Sequence, residues 1–418
     1  MIDVEDALSK ILAVFRPLSI QETSILETNG MVLAEDIISE IDIPPLDNSA
    51  MDGYAVKYEN VENASSKNPK KLKVVGTTAA GELPYSTLLN NESIRIMTGA
   101  PIPTGANAVV PFEKTSDNFN NKNSNTTSEV QILTSSFVGQ NVRKAGQDVK
   151  NGEVVLKSGS VLHPSHIALI ASVGKATVKV FRRPQVAILA TGNEITKPGN
   201  KLEQGRIYDS NSYGIASAVT EAGGNPLIVG IAKDNFDSIE KKLNQCKDSD
   251  LVITSAGVSK GDFDMVKNVL SQNGTIEFHS VRMKPGKPLA FGVLRQNKKL
   301  IPLVGLPGNP VSALVAFEQF CRPAIRLMLG HKFIPRATIK AILDDDIDNP
   351  DGRRIYARSL VYKKNDVYHV SLIGVQSSNI LSAMGKANGL AICPENKTLV
   401  KAGEAVTVMM LYWPSEVF

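Results

Sequence analysis

Between residues 180 and 331 short apolar runs alternate with amphipathic stretches, and this alternation restricts the fold more than any other feature of the chain. The run 186–190 (Val-Ala-Ile-Leu-Ala) is apolar throughout, as expected of a strand buried on both faces. Residues 211–222 follow, with Ile215, Val219 and Ala222 on one helical side and Gly223-Gly224 at the end. A strand at 227–231, a helix at 236–246, a strand at 251–254 and a helix at 262–272 continue the series. Strands at 276–281, 289–293 and 300–304 then lead into a long helix over 310–329. The pattern predicts an open, doubly wound α/β sheet.

The flanking regions read differently. Val4, Leu8, Ile11, Leu12 and Phe15 share one face of a first helix, with Asp3 at its N-cap and Pro17 as its stop. A second helical piece ends near Gly30, residues 36–43 are extended, and Pro44-Pro45 marks a boundary. From there strand-like runs at 72–75, 93–97, 108–111 and 130–133, separated by turn residues, indicate a small β domain. Within it the polar stretch 117–128 reads as a solvated hairpin tip. A strand at 154–156 and a helix near 165–172 rejoin the N-terminal segment, which makes the β domain an insertion. After 331, strands at 337–342, 354–361, 367–372, 390–392 and 406–411 suit a small barrel or sandwich. The expected class is therefore multidomain α/β and β. It has an elongated N-terminal segment (1–45 and 140–179), an inserted β domain (46–139), a doubly wound α/β domain (180–331) and a C-terminal β-barrel (332–418).

Composition narrows the function by exclusion. A net charge of +4 over 418 residues, with no basic stripe, argues against nucleic acid as a partner. Cys246, Cys321 and Cys393 are far apart and form no CxxC pair, which suits a reducing cytoplasm and speaks against a disulfide framework or a cysteine zinc site. The acidic start Met1-Ile2-Asp3-Val4-Glu5-Asp6 lacks the order of a signal peptide, and no apolar stretch approaches the roughly 18 residues of a membrane span. A soluble, cytoplasmic protein is expected, with no membrane partner.

In a doubly wound sheet ligands bind beyond the carboxyl ends of the strands. The loops there are Thr191-Gly192-Asn193-Glu194, the segment carrying Asp234, residues 255–264, residues 282–288 and residues 305–312. Glycines with Ser255, Ser259 and Ser312 let backbone approach an anion, and helix starts offer free N–H groups to it. Asn309 with Pro310 specifies one such start. Lys284 and Lys287 add positive charge, while Glu194, Asp234, Asp262 and Asp264 supply hard oxygens suited to Mg²⁺. Acids beside phosphate-binding loops make electrostatic sense with a cation between them. Each loop alone would be an ordinary turn or cap, but several on one sheet edge point to a phosphate-and-metal site. No GxxxxGK[ST] is present, nor a GxGxxG after a strand. Gly257-Val258-Ser259-Lys260-Gly261 matches GxSxG, but His279, His331 and His369 lie in no triad-like setting, and His163 and His166 read as structural.

These loops, with Asp47-Asn48-Ser49-Ala50-Met51-Asp52-Gly53-Tyr54-Ala55 and Arg95-Ile96-Met97-Thr98-Gly99-Ala100-Pro101, resemble the molybdopterin molybdenumtransferase family (MoeA and the E domain of gephyrin) along essentially the whole chain. The resemblance implies four domains, with a MogA-like α/β domain. It also implies a homodimer whose cleft lies between the α/β domain of one subunit and the inserted domain of its mate. The implied reaction inserts molybdate into adenylylated molybdopterin with release of AMP, helped by Mg²⁺ or another divalent cation.

By motif, Glu194, Asp234 and Asp264 resemble the acids around the metal and pyrophosphate, and Ser259 and Asp264 resemble residues linked to adenylyl cleavage. Lys284 and Lys287 resemble substrate-binding lysines, and Lys287, Pro288 and Ser312 part of the molybdate pocket, which Arg353 and Ser378 complete. Asp52 and Thr98 resemble the partner subunit's contribution, and Arg143 and Asp148 match another family motif that the resemblance places among the substrate-binding residues. Two positions depart from the pattern: Ala256 replaces a glycine, and Asn193 replaces an acid and so removes one possible metal carboxylate. Two other readings of the same fold are an adenylyltransferase acting on molybdopterin and a non-catalytic scaffold.

Overall fold

The computed structural model describes residues 1–84, 86–117, 128–255, 274–296, 299–332 and 334–413. The expected helix 262–272 and nearly all of the tip 117–128 lie outside the described residues. The chain divides into two compact units, one of residues 1–34, 159–163 and 177–418, the other of residues 35–158 and 164–176.

At the centre of the first unit is a six-stranded sheet. Its strand order is Asn225–Ala232, Gln185–Thr191, Leu251–Ser255, Lys299–Leu306, Pro288–Gln296 and Gly274–Ser280. The first four strands are parallel and the last two join antiparallel. Side chains leave a strand alternately to its two faces, and both faces here are covered. Val186 and Ile188 enter a core with the helix Asn211–Ala222 and the helical run that begins at Pro310. Ala187 and Leu189 enter a second core with the helix Phe236–Leu243. That two-sided demand explains the unbroken apolar run. From Gln185–Thr191 the chain moves outward to Asn225–Ala232, then crosses back to Leu251–Ser255 on the other side. The strand ends at Thr191 and Ser255 therefore lie at the point where strand order reverses, the expected place for a ligand.

The run after Pro310 is one continuous rod in three parts: Pro310–Ala316, a π segment Phe317–Cys321, and Arg322–Met328. The first helix, Val4–Leu12, buries Val4, Ala7 and Ile11 against it. Asp3 holds the N-cap position but makes no cap bond; its carboxylate lies 3.5 Å from Arg282. The second helical piece expected before Gly30 is instead the strand Ile20–Ser24 with a short 3₁₀ turn Ile25–Glu27. That strand pairs antiparallel with Thr177–Phe181, a partner too remote in sequence for local periodicity to reveal.

Five strands at the C-terminal end close into a barrel, in the order Arg354–Lys364, Val367–Leu372, Thr338–Leu343, Ala405–Met410, Gly389–Cys393 and back to the first. Leu343, Ile355, Ala357, Val361, Val370 and Val408 fill its interior. Tyr356 and Leu390 face outward into the core that also holds the sheet and helices, so barrel and sheet share one apolar framework. Met283–Lys284 extends the barrel, pairing parallel with Arg354 and Ile355. Residue 2 locks this segment: the Ile2 N–H donates to Ser280 O (2.9 Å) and the Arg282 N–H to Ile2 O (2.8 Å).

The second unit holds a five-stranded sheet ordered Ala108–Pro111, Gly53–Val56, Glu92–Ile96, Ser65–Thr78 and Glu129–Thr134, around Tyr54, Leu72, Val110 and Ile132. Among the described residues no helix is long and apolar enough to cross a membrane.

His331, at the end of the long helical run, is buried with Nε2 unpaired among the described residues. Burial first, then the nearby Arg326 and Arg322 charges, push its pKa down to about 4. An unfolded chain binds this proton with pKa about 6.5, so between those values the unfolded state holds more protons. His331 therefore contributes stability that is full above about pH 6.5 and is lost as pH falls toward 4, on the order of 3 kcal/mol. Urea titrations of wild type and His331→Leu at pH 7 and pH 4.5 should show a smaller acid loss in the variant. Equal losses would refute this.

Candidate active-site cleft

At the carboxyl edge of the six-stranded sheet a cleft of about 950 Å³ is lined by loops from both the sheet and the barrel. Three of its walls are tied together by one side chain. Asn211, the first residue of its helix, donates from Nδ2 to Ser255 Oγ (2.7 Å) and to Gly308 O (2.8 Å). Asp209 caps the same helix by accepting the Ser212 N–H at 2.9 Å. The helix start is therefore pinned from below, and the loops it touches cannot move independently.

Lys284, Lys287 and Pro288 line the cleft on a tight loop. Gly286 has φ of +105°, and a Cβ there would come within 3.0 Å of Met283 Cε, so the turn needs glycine. Arg353 lines the cleft from the first residue before the barrel strand, brought beside the lysines by the pairing of Met283 with Arg354. Asp351 accepts a hydrogen bond from Arg353 Nη2 and lies 3.9 Å from Lys284 Nζ. The guanidinium hydrogen bond, then the nearby cationic charge, holds Asp351 below the usual carboxylate range. Arg353 and Lys284 thus share a half-exposed carboxylate, with which an incoming anion would compete.

Ser312, buried on the first turn after Pro310, and Ser378, on the loop beyond Val367–Leu372, complete this end. Asn309 occupies the N-cap position with Pro310 behind it, as its sequence context predicts, but its side chain makes no cap bond. Its Nδ2 donates instead to Ser378 Oγ at 3.0 Å. Having accepted that bond, the Ser378 hydroxyl keeps its own proton free to donate.

The acids divide between cleft and rim. Glu194 lines the cleft, its carboxylate folded back over Gly192, where an added Cβ would meet Oε2 at 2.6 Å. Asp234 is not part of the lining; its Oδ2 accepts the Asn193 N–H at 3.1 Å, and Asn193 Oδ1 accepts the Asp234 N–H at 3.3 Å. The asparagine that stands in place of an acid thus fastens the Asp234 loop to the Glu194 loop. Two hard-oxygen carboxylates on adjoining loops fit a cation that also takes phosphate oxygens. Among the described residues no group of three or more His, Cys, Asp or Glu side chains is placed to hold a metal. Asp264, the third carboxylate expected there, lies outside the described residues, as do Ser259, Asp262, Ala256 and the GxSxG segment.

Four expected site residues fall in the second unit. Asp52 Oδ1 accepts both the Thr98 N–H (2.7 Å) and the Thr98 hydroxyl (2.8 Å), so these two form a pair. Arg143 is exposed, opposite Asn48 in a two-residue ladder, and the Asp148 N–H donates to Ile43 O. Residues that sequence reasoning did not single out are Asn211, Asp351 and Gln376. Only Asp209-Ser210-Asn211, a cap-like cluster before an apolar helix, gave a signal for the first.

Comparison with known proteins identifies the family and the fold. Residues 2–174 match the MoeA N-terminal region (domain I and II), residues 187–327 a probable molybdopterin binding domain, and residues 340–411 the MoeA C-terminal region (domain IV). The molybdopterin molybdenumtransferase of Haemophilus influenzae is 36% identical, the alignment covering 98% of each chain. Molybdopterin molybdenumtransferase 2 of Mycobacterium tuberculosis is 35% identical over 96% of each. A crystal structure of the molybdopterin biosynthesis MoeA protein from Pyrococcus horikosii superposes with a TM-score of 0.81 at 32% identity, covering 99% of this chain and 100% of that one. The chain belongs to the MoeA family, the molybdopterin molybdenumtransferases.

Proposed function

We propose that this chain carries out the metal-insertion step of molybdenum-cofactor synthesis, joining molybdate to adenylylated molybdopterin and releasing AMP. The observation that carries the reading is one cleft that Lys284, Lys287, Arg353, Ser312, Ser378 and Glu194 line together. Molybdate is a tetrahedral dianion, and the activated pterin brings a pyrophosphate. Bringing them together requires fixed cations and oriented donors, which act strongly where water is excluded.

In this reading Lys287, Arg353 and the Ser378 hydroxyl hold molybdate, with Ser312 at the helix start beside them. Lys284 lies along the pyrophosphate. The Asn309 bond to Ser378 fixes the direction of the hydroxyl proton. As the two dithiol sulfurs bind molybdenum, one molybdate oxygen leaves as water with both thiol protons. Hydrolysis of the phosphoanhydride takes up one water and frees AMP. Glu194 and Asp234, with Asp264 from its own loop, would hold a divalent cation such as Mg²⁺. When bound, that cation supplies Lewis-acid polarisation of the phosphoanhydride. Asp52 and Thr98, with Arg143 and Asp148, are proposed to face the cleft of a second copy in a homodimer. The three free, buried cysteines suit a cytoplasmic location.

The barrel distinguishes this reading from an adenylyltransferase, because Arg353 and Ser378 reach the cleft from it. The test is reconstitution of the purified chain with adenylylated molybdopterin. Molybdate should stimulate AMP release, and molybdenum should appear on the pterin. AMP release indifferent to molybdate, or consumption of ATP with molybdopterin alone, would overturn the proposal.

A further inference from the structure

Arg358 lies in the barrel strand Arg354–Lys364, between Ala357 and Ser359, and is wholly buried. Its neighbours Ala357 and Val361 point into the barrel, so Arg358 shares the outer face with Tyr356. The guanidinium donates from Nη2 to Val375 O at 2.7 Å, while Nε and Nη1 have no partner among the described residues. No carboxylate there pairs with it either. A buried guanidinium without a counter-charge is strongly unfavourable, and an apolar side chain of similar length would fill the same volume without that cost.

The same residue ties down the loop that carries Ser378. The Arg358 N–H donates to Gln376 Oε1 (2.9 Å), and Gln376 Nε2 donates to Arg358 O (3.0 Å) and Ile373 O (3.2 Å). The Ile373 N–H also donates to Arg358 O at 2.9 Å. Gln376, Ser377, Ser378 and Asn379 line the cleft. Three chain steps separate the carbonyl that Arg358 holds from Ser378, at most about 11 Å between α-carbons. Val375 is exposed, but the guanidinium it meets is wholly buried, where a charge is screened less by salt than one on the surface.

We propose that Arg358 is a positioning residue for the oxyanion end of the cleft, and that its buried charge biases this end toward doubly charged tetrahedral anions. The identity of the natural anion rests on the function proposed above; the charge preference does not require turnover. Coulomb energy scales with ligand charge, so removing a fixed positive charge weakens a dianion by the square of the factor it costs a monoanion.

The test uses molybdate and perrhenate, tetrahedral oxyanions of two charges and one, titrated calorimetrically into the full chain. Arg358→Met should weaken molybdate about 10-fold and perrhenate about 3-fold, so that their affinity ratio falls about 3-fold. Arg358→Lys, which keeps the charge, should keep the wild-type ratio. Gln376→Leu, which cuts the clamp but not the charge, should weaken both anions alike. Equal weakening of both anions in Arg358→Met, or no weakening, overturns the proposal. Should that variant fail to fold, a ratio lost in Arg358→Lys or changed in Gln376→Leu overturns it equally. If the wild-type chain binds neither anion, the cleft is not an oxyanion site and both readings fall; binding without a charge effect sinks this one alone.

Discussion

Arg353→Met is expected to slow molybdate-dependent AMP release by about 100- to 1000-fold, the usual cost of removing one preorganised donor from a developing anion. The side chain is only 19% exposed, so its charge acts in a partly water-excluded place. That charge is matched by Asp351, which also lies 3.9 Å from Lys284 Nζ. Removing the guanidinium leaves the carboxylate free to bind the lysine more closely, so the variant loses one cation and weakens a second. Arg353→Lys should recover little, because an ammonium cannot present two parallel donors to an oxyanion. Asp351→Asn should act in the opposite direction. It frees both cations and should tighten molybdate several-fold, while AMP release stays near the wild-type rate. Initial rates across a molybdate series check all three variants. An Arg353→Met rate within 3-fold of wild type would remove this residue from the mechanism.

The sheet was readable because burial on two faces forces an unbroken apolar run, and 186–190 has one. Its binding edge was readable for the same reason: once strand order is known, the loops that can meet a ligand follow. Glu194, Lys284, Lys287, Pro288 and Ser312 do meet there. What escaped depends on partners distant in sequence. Ile20–Ser24 has helix-compatible composition, but its ladder with Thr177–Phe181 decides its conformation. Asn309 sits in a cap position, yet a serine 69 residues later takes its side chain. Asp351 and Arg358 could be given roles only after the barrel was seen to share a core with the sheet. Two-residue pairings such as Met283 with Arg354 leave almost no trace in hydrophobic periodicity, although this one carries the lysine loop to the arginine.

That shared core is also where the largest loss of stability is expected. Arg336 holds Glu318 by two bonds, Nε to Oε2 at 2.6 Å and Nη2 to Oε1 at 2.9 Å, and reaches Glu221 at 2.8 Å and the Leu411 carbonyl. It therefore joins the π segment of the long helical run, the helix Asn211–Ala222 and the last barrel strand's exit. The Glu318 side chain is 8% exposed and that of Arg336 13%, so both are largely desolvated. Glu318→Leu would leave Arg336 and Arg322 facing each other with their buried carboxylate gone. Breaking one partner of such a pair typically costs about 3–5 kcal/mol. Arg336→Met should cost less, because Arg322 lies 3.9 Å from Glu318 and keeps part of its compensation. The double variant Glu318→Leu/Arg336→Met should recover part of the loss, since it removes the stranded Arg336 charge while Arg322 still lacks its carboxylate. Urea denaturation of the four proteins at one pH gives the comparison. If the double variant were as unstable as the sum of the singles, the two residues would contribute independently, and the idea of a charge that only its partner makes tolerable would fall.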